Sequence, residues 1–176
     1  MTEIVIGYII VVLFGMCVGS FMNVLIYRIP KGEDFVRSHS HCMSCGHRLA
    51  WYDMFPVFSF LFLRGKCRYC GAKLSIQYPI IEAVNGALWG LCYYRYDFTV
   101  MGIVTAGLLS ALVVIAVIDE RTMEIPFGLN AFIFILAVIK VISEIAAVSV
   151  REGALHDFLY QTAGDEVDPI LKFITI

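Results

Sequence analysis

The chain has 176 residues, of which 60% are hydrophobic and only 16% charged, with a mean hydropathy of +0.81 and a net charge of -2. Soluble domains are roughly 45–50% apolar and about 25% charged. This composition therefore excludes a disordered chain, argues against a soluble globular domain, and points to a membrane protein with a few spanning helices rather than a large transporter. Six cysteines are too few for a disulfide-dense secreted scaffold, so their spacing must decide their role.

In chain order, no charge falls between Glu3 and Arg28, and residues 4–27 exceed the ~20 apolar residues that a hydrocarbon core requires. The acidic start, Met1-Thr2-Glu3, and the placement of the positive charges after the run are unlike a cleavable signal peptide, so a retained first span is expected. The second uncharged stretch covers residues 83–94, and reaches back to Leu74 if Glu82 is tolerated. A third covers residues 98–118, between Asp97 and Asp119. The fourth covers about residues 125–148 and is interrupted by Lys140 and Glu144, which are four apart and can pair on one helical face. Near the end, Asp168-Pro169 reads as a helix start.

Basic residues set the orientation. The loop between the first and second spans carries Arg28, Lys31, Arg37, Arg48, Arg64, Lys66, Arg68 and Lys73 against Glu33, Asp34 and Asp53. It is expected in the cytoplasm, with the N-terminus outside. Two Gly-x-x-x-Gly pairs, Gly15/Gly19 and Gly86/Gly90, and a stripe of Gly102, Ala106 and Ser110 let helix backbones approach closely in lipid. They suit internal packing first, and a homo-oligomer also.

The same loop contains Cys42-Met43-Ser44-Cys45-Gly46 and Cys67-Arg68-Tyr69-Cys70-Gly71, each continuing into a basic residue and a leucine. Paired Cys-x-x-Cys units read as a four-thiolate zinc site. Two intervening residues let one tight turn present both sulfurs, and the following glycine tolerates the backbone that turn needs. Four sulfurs leave no open position, so the zinc would be structural. A reduced cytoplasmic setting disfavours disulfides. His39, His41 and His47 read as solvated loop residues rather than substitute ligands. The expectation is an all-α integral membrane protein with about four transmembrane helices and a cytoplasmic zinc-binding loop between the first and second. Its parts are a first span (1–27), the zinc loop (28–79), a three-helix region holding an aspartate site (80–148) and a divergent tail (149–176). Its partner is the lipid bilayer, and no nucleic acid is expected.

Ionisable groups in a span are costly and are functional candidates by default. Asp119 ends the third stretch on the cytoplasmic side. Glu82 and Asn85 open the second, and Asn23 lies near the inner end of the first. Polar groups thus gather at one membrane depth beneath the zinc loop.

Several of these motifs resemble those of the type IV prepilin peptidases, bacterial inner-membrane aspartic proteases. They are Gly19-Ser20-Phe21-Met22-Asn23-Val24-Leu25-Ile26-Tyr27-Arg28-Ile29-Pro30, the two cysteine pairs, Trp51-Tyr52-Asp53-Met54-Phe55-Pro56-Val57-Phe58-Ser59, Leu63-Arg64-Gly65-Lys66-Cys67-Arg68, Tyr78-Pro79-Ile80-Ile81-Glu82 and Ile118-Asp119-Glu120-Arg121-Thr122-Met123-Glu124-Ile125-Pro126. The resemblance covers roughly residues 15–135. It implies cleavage of a basic leader from prepilins or pseudopilins at the cytoplasmic face of the inner membrane, with Asp119 as the first of two catalytic aspartates. It also implies, for many members, N-methylation of the new terminus by S-adenosylmethionine, with Glu82 and Gly86 in the substrate and methyl-transfer region. The family's second aspartate follows Gly-x-Gly and precedes Lys. Here the nearest match is Ala163-Gly164-Asp165-Glu166, on the far side of the membrane in this topology. The chain therefore reads as a truncated or divergent member. The rival reading is a catalytically incomplete membrane zinc protein that binds prepilin or pilus-assembly partners.

Overall fold

The computed structural model describes residues 2–34 and 39–174, with the side chains of Trp51 and of residues 154–174 outside the described set. Arg37 of the charge count and the Asp165 side chain therefore lie outside the described residues. Two units are distinguished, Met1–Ala137 and Val138–Ile176.

The described residues of the first unit contain helices and turns, with no strand beyond two isolated bridges. Helix α1 (Thr2–Arg28) contains the uncharged run of the sequence, with Glu3 in its first turn and Arg28 in its last, and it gives way to a short 3-10 turn where Pro30 cannot continue it. The loop that follows holds a second 3-10 turn (Trp51–Met54) and the five-residue helix α2 (Phe58–Phe62). Helix α3 (Gln77–Tyr96) ends at Asp97, whose φ is +54°. Thr99 then starts helix α4 (Val100–Thr122), its hydroxyl accepting the Gly102 amide at 3.2 Å. Met123, at φ +52°, closes α4 by donating its amide to the Asp119 carbonyl at 2.8 Å. Helix α5 (Phe127–Ile174) begins after Pro126.

Three of these helices are long and apolar enough to cross a membrane: Thr2–Lys31, Val100–Thr122 and Phe127–Gly153. Helix α3 holds the second of the four expected spans. Its 20 residues would extend about 30 Å, but it carries Glu82, Asn85 and Arg95 and falls short in hydropathy. Glu82 and Asn85 are buried inside the bundle, where lipid does not meet them, with Asn85 fully buried and Glu82 7% exposed, while Arg95 is exposed at the far end of the helix.

The glycine pairs explain how α3 comes so close. A Cβ on Gly15 would lie 2.6 Å from Trp89 Cβ and 3.1 Å from Gly86 Cα, and one on Gly19 would lie 2.8 Å from Glu82 Cα. Each pair is thus spent inside the chain, as internal packing predicts. A buried polar network completes the contact. Asn85 Nδ2 donates to the Gly15 carbonyl (2.6 Å), Ser110 Oγ donates to Asn85 Oδ1 (2.7 Å), and Trp89 Nε1 donates to Ser110 Oγ (3.0 Å). Asn85 therefore joins α1, α3 and α4 deep in the bundle and does not belong with the polar groups under the loop. At the loop end, Met22, Ile26, Ile81, Val114 and Ile118 form the apolar core.

The second unit is helical as far as Ile174. Lys140 Nζ meets Glu144 at 3.2 Å, as their spacing predicts. The helix start expected at Asp168 is not there. Helix α5 runs unbroken through Gly153, Gly164 and Pro169, so Asp168-Pro169 lies inside a helix rather than opening one.

Candidate functional site

The two cysteine pairs fold identically. In the first, the Cys42 amide donates to the His47 carbonyl (2.9 Å), Gly46 to Cys42 (2.8 Å) and Leu49 to Ser40 (2.9 Å). In the second, Cys67 donates to Ala72 (2.8 Å), Gly71 to Cys67 (2.9 Å) and Leu74 to Gly65 (2.8 Å). Gly46 and Gly71 each have φ +71°, a left-handed conformation that glycine adopts without cost. The sequence repeat is therefore a repeat of backbone knuckles.

The four sulfurs of Cys42, Cys45, Cys67 and Cys70 lie within 4.8 Å of one another, with Cys42 and Cys70 3.9 Å apart. Metal–sulfur bonds of about 2.3 Å in a tetrahedron put sulfurs about 3.8 Å apart, so the cluster has the dimensions of such a centre. Cys42 and Cys67 are buried while Cys45 and Cys70 are exposed. The Cys45 amide foremost, with that of Ser44, lowers the Cys42 thiol to about 6. Cys70 feels the opposite balance. The Ala72 amide favours its thiolate, but burial and hydrogen bonds shared with the other three sulfurs push it up to about 11. Of the histidines, His47 stacks on Tyr69, its ring centroid 3.7 Å away, and the metal-sized cluster contains none of them.

Asp53 joins the knuckles to the turn between them. Its side chain, 3% exposed, accepts from Arg68 Nε at 2.7 Å, from the Tyr69 hydroxyl at 3.1 Å and from the Ala50 amide at 3.3 Å. Burial opposes its charge, but the Arg68, Tyr69 and Ala50 hydrogen bonds outweigh it and hold the carboxyl below its ordinary range. Tyr69 is pushed up to about 12, first by its hydrogen bond with Tyr52 and then by burial and Asp53.

Glu82 ties the loop to the bundle. Its Oε2 accepts the Val57 amide at 2.7 Å. Val57 sits at φ +57°, ψ −48°, and the Phe58 amide donates back to Pro56 across it at 2.5 Å. This is a γ-turn of the rare, strained kind, in a β-branched residue that avoids positive φ. Nearby, Asn23 Nδ2 donates to the Tyr78 carbonyl at 3.1 Å, which joins the starts of the loop and of α3. Between these helix ends and the knuckles lies a cavity of about 390 Å³, within the range of small-molecule sites. Ser20, Asn23, Tyr78 and Glu82 line it from the helices, and Cys42 and Cys67 from the knuckles.

The predicted site residues are thus divided. Cys42 and Cys67 line the cavity together with Glu82, and Cys45 and Cys70 complete the sulfur cluster beside it. Gly86 lies one turn deeper, against Met16 and Val12 of α1. Asp119 is exposed at the end of α4 and does not line the cavity. It follows Ile118, which is packed with Ile26 and Ile81, so it emerges at the knuckle end of the bundle. Sequence reading missed Val57 and Asp53 as ties. Only the run Trp51-Tyr52-Asp53-Met54-Phe55-Pro56-Val57 hinted at them, since neither residue carries a metal-ligand or catalytic spacing.

Residues 13–96 match the family described as the bacterial peptidase A24 N-terminal domain. The chain is 42% identical over 116 residues to a prepilin leader peptidase/N-methyltransferase of Myxococcus xanthus, covering 66% of this chain and 35% of the relative. Relatives of the same description in Klebsiella pneumoniae (38% identical; 67% of this chain, 54% of the relative) and Vibrio cholerae (36%; 76% and 57%) also match. The chain spans between about a third and somewhat over half the length of these three relatives. No solved structure matches it. With its motifs in order and its paired knuckles in place, the chain belongs with the type IV prepilin peptidases, whose N-terminal domain it carries.

Proposed function

We propose that this chain is a membrane aspartic peptidase that removes the leader of type IV prepilins or pseudopilins at the cytoplasmic face of the bacterial inner membrane, and that it N-methylates the new terminus. The observation that carries the reading is the shared end of the bundle. Ile118 packs with Ile26 and Ile81, so Asp119 leaves the membrane on the side where the knuckles and cavity stand. The N-terminus is then outside, as the basic loop requires.

In this reading Asp119, as carboxylate, takes a proton from the water that attacks the scissile carbonyl. A second carboxyl, supplied from outside the described side chains, stays protonated and polarises that carbonyl. The sulfur spacing fits zinc, held by Cys42, Cys45, Cys67 and Cys70 with no open position, so the ion would fix the loop and take no part in the chemistry. The cavity's volume and its Glu82 carboxylate fit a cationic methyl donor. Glu82 would hold S-adenosylmethionine, which supplies the methyl group. Gly86 would act by letting α3 approach α1 and so set the position of Glu82.

The test is leader cleavage of a prepilin by the chain in vesicles, wild type beside Asp119→Asn. Cleavage by the wild type that falls at least a hundredfold in Asp119→Asn supports the reading. Equal cleavage by the two removes Asp119 from the mechanism, and an inert wild type that still binds prepilin supports the rival binding role.

A further inference from the structure

Helix α2 has two faces. Phe60 lies beneath Gly65, where a Cβ on the glycine would come 2.9 Å from the ring, and with Leu63 it lines the cavity. On the other side, Phe58, Leu61 and Phe62 are 41%, 65% and 86% exposed, and the half-exposed Phe55 meets Phe58 with ring centroids 6.0 Å apart. Contiguous large apolar groups of this kind are not left to water without a reason.

The attachment of α2 indicates what covers them. Its leading residue, Val57, hangs by its amide from Glu82, and Glu82 Cα faces Gly19 of α1. Gly19 precedes Arg28 by nine residues, about 13 Å along the helix, and Arg28 is the first charge after Glu3. Helix α2 is therefore suspended from a level within the apolar run by which α1 crosses the bilayer. At that level Phe21 of α1 and Ile80 and Val84 of α3 are also exposed, so the apolar surface continues from the spanning helices. Immediately after α2 come Arg64 and Lys66, both exposed, where they can meet anionic headgroups.

We propose that α2 is an interfacial helix embedded in the leaflet on the knuckle side, with Phe58, Leu61 and Phe62 among the acyl chains and Arg64 and Lys66 at the phosphates. The knuckle pair then stands on the bilayer surface, and the cavity between it and the helices opens at the membrane interface.

The experiment uses the purified chain in phosphatidylcholine/phosphatidylglycerol vesicles, with photoreactive benzoylphenylalanine placed at position 62, and separately at 61 as a second reporter. Irradiation and intact-mass analysis should give a chain carrying one phospholipid. A probe at Met43, which is 55% exposed on the first knuckle, should give at least tenfold less. Adducts to a second copy of the chain, no adduct at 61 or 62, or equal lipid yield at Met43 would each overturn the proposal. The readout involves no cleavage, so its outcome is independent of the peptidase reading.

Discussion

Asp53 holds together three pieces of the loop that sequence separates: the turn that starts after Ala50, the Arg68 side chain and the Tyr69 hydroxyl. Asp53→Asn keeps the shape and removes the charge. It should cost about 1–2 kcal/mol, the difference between a charge-assisted and a neutral hydrogen bond, read as faster proteolysis of residues 40–75 at pH 7. Because the folded carboxyl lies below its ordinary value, its contribution is present above about pH 4. That contribution is lost only as pH falls through the still lower folded value, so the difference between wild type and variant should be flat from pH 8 to pH 5. Glu82 offers a sharper comparison. Glu82→Gln can still accept the Val57 amide and should unfold near the wild-type temperature. Glu82→Ala leaves that amide without its acceptor at a strained turn and should lose about 1–3 kcal/mol. Equal melting of the two variants would show that the tie contributes nothing.

Between elements, the decisive contact is α1 against α3. In lipid there is no hydrophobic gain from burying leucine-like surface, so helices are held by close backbone approach and by hydrogen bonds. Gly19 faces backbone, since its added Cβ would lie 2.8 Å from Glu82 Cα, and no side-chain rotation can relieve that. Gly19→Ala should therefore cost about 1–3 kcal/mol, seen as a lower unfolding temperature in detergent. Ser110→Ala, which removes the bridge between Asn85 and Trp89, should cost less, about 0.6–1.7 kcal/mol. The Gly-x-x-x-Gly spacings were readable in the sequence because helical period fixes which residues share a face. Their partners were not, since nothing local says which helix a stripe will meet. The same limit explains Asn85. Its position near Glu82 in the chain suggested a common site, but a residue three positions on points almost one turn deeper and into a different neighbour.

At the scale of the molecule, the spans, the cysteine repeat and the end of the bundle at which Asp119 emerges were legible, because each follows from charge placement or from a fixed spacing. Helix α3 was legible as a helix but not as a weakly apolar one shielded by its neighbours. The grip of the loop on Glu82 through Val57 could not be foreseen, because it depends on a positive-φ valine that propensity argues against. The knuckles have little core of their own, so ligand geometry must fix them. Chelation should open residues 40–75 to protease while the helical circular dichroism stays unchanged. On the reading proposed above, one zinc ion joins the two knuckles and so fixes the wall of the cavity that Cys42 and Cys67 supply. Elemental analysis of the purified, folded chain tests this directly: one zinc per chain is predicted, lost when Cys42 and Cys67 are both replaced by Ser. Well-folded wild type carrying less than one zinc per several chains would contradict it.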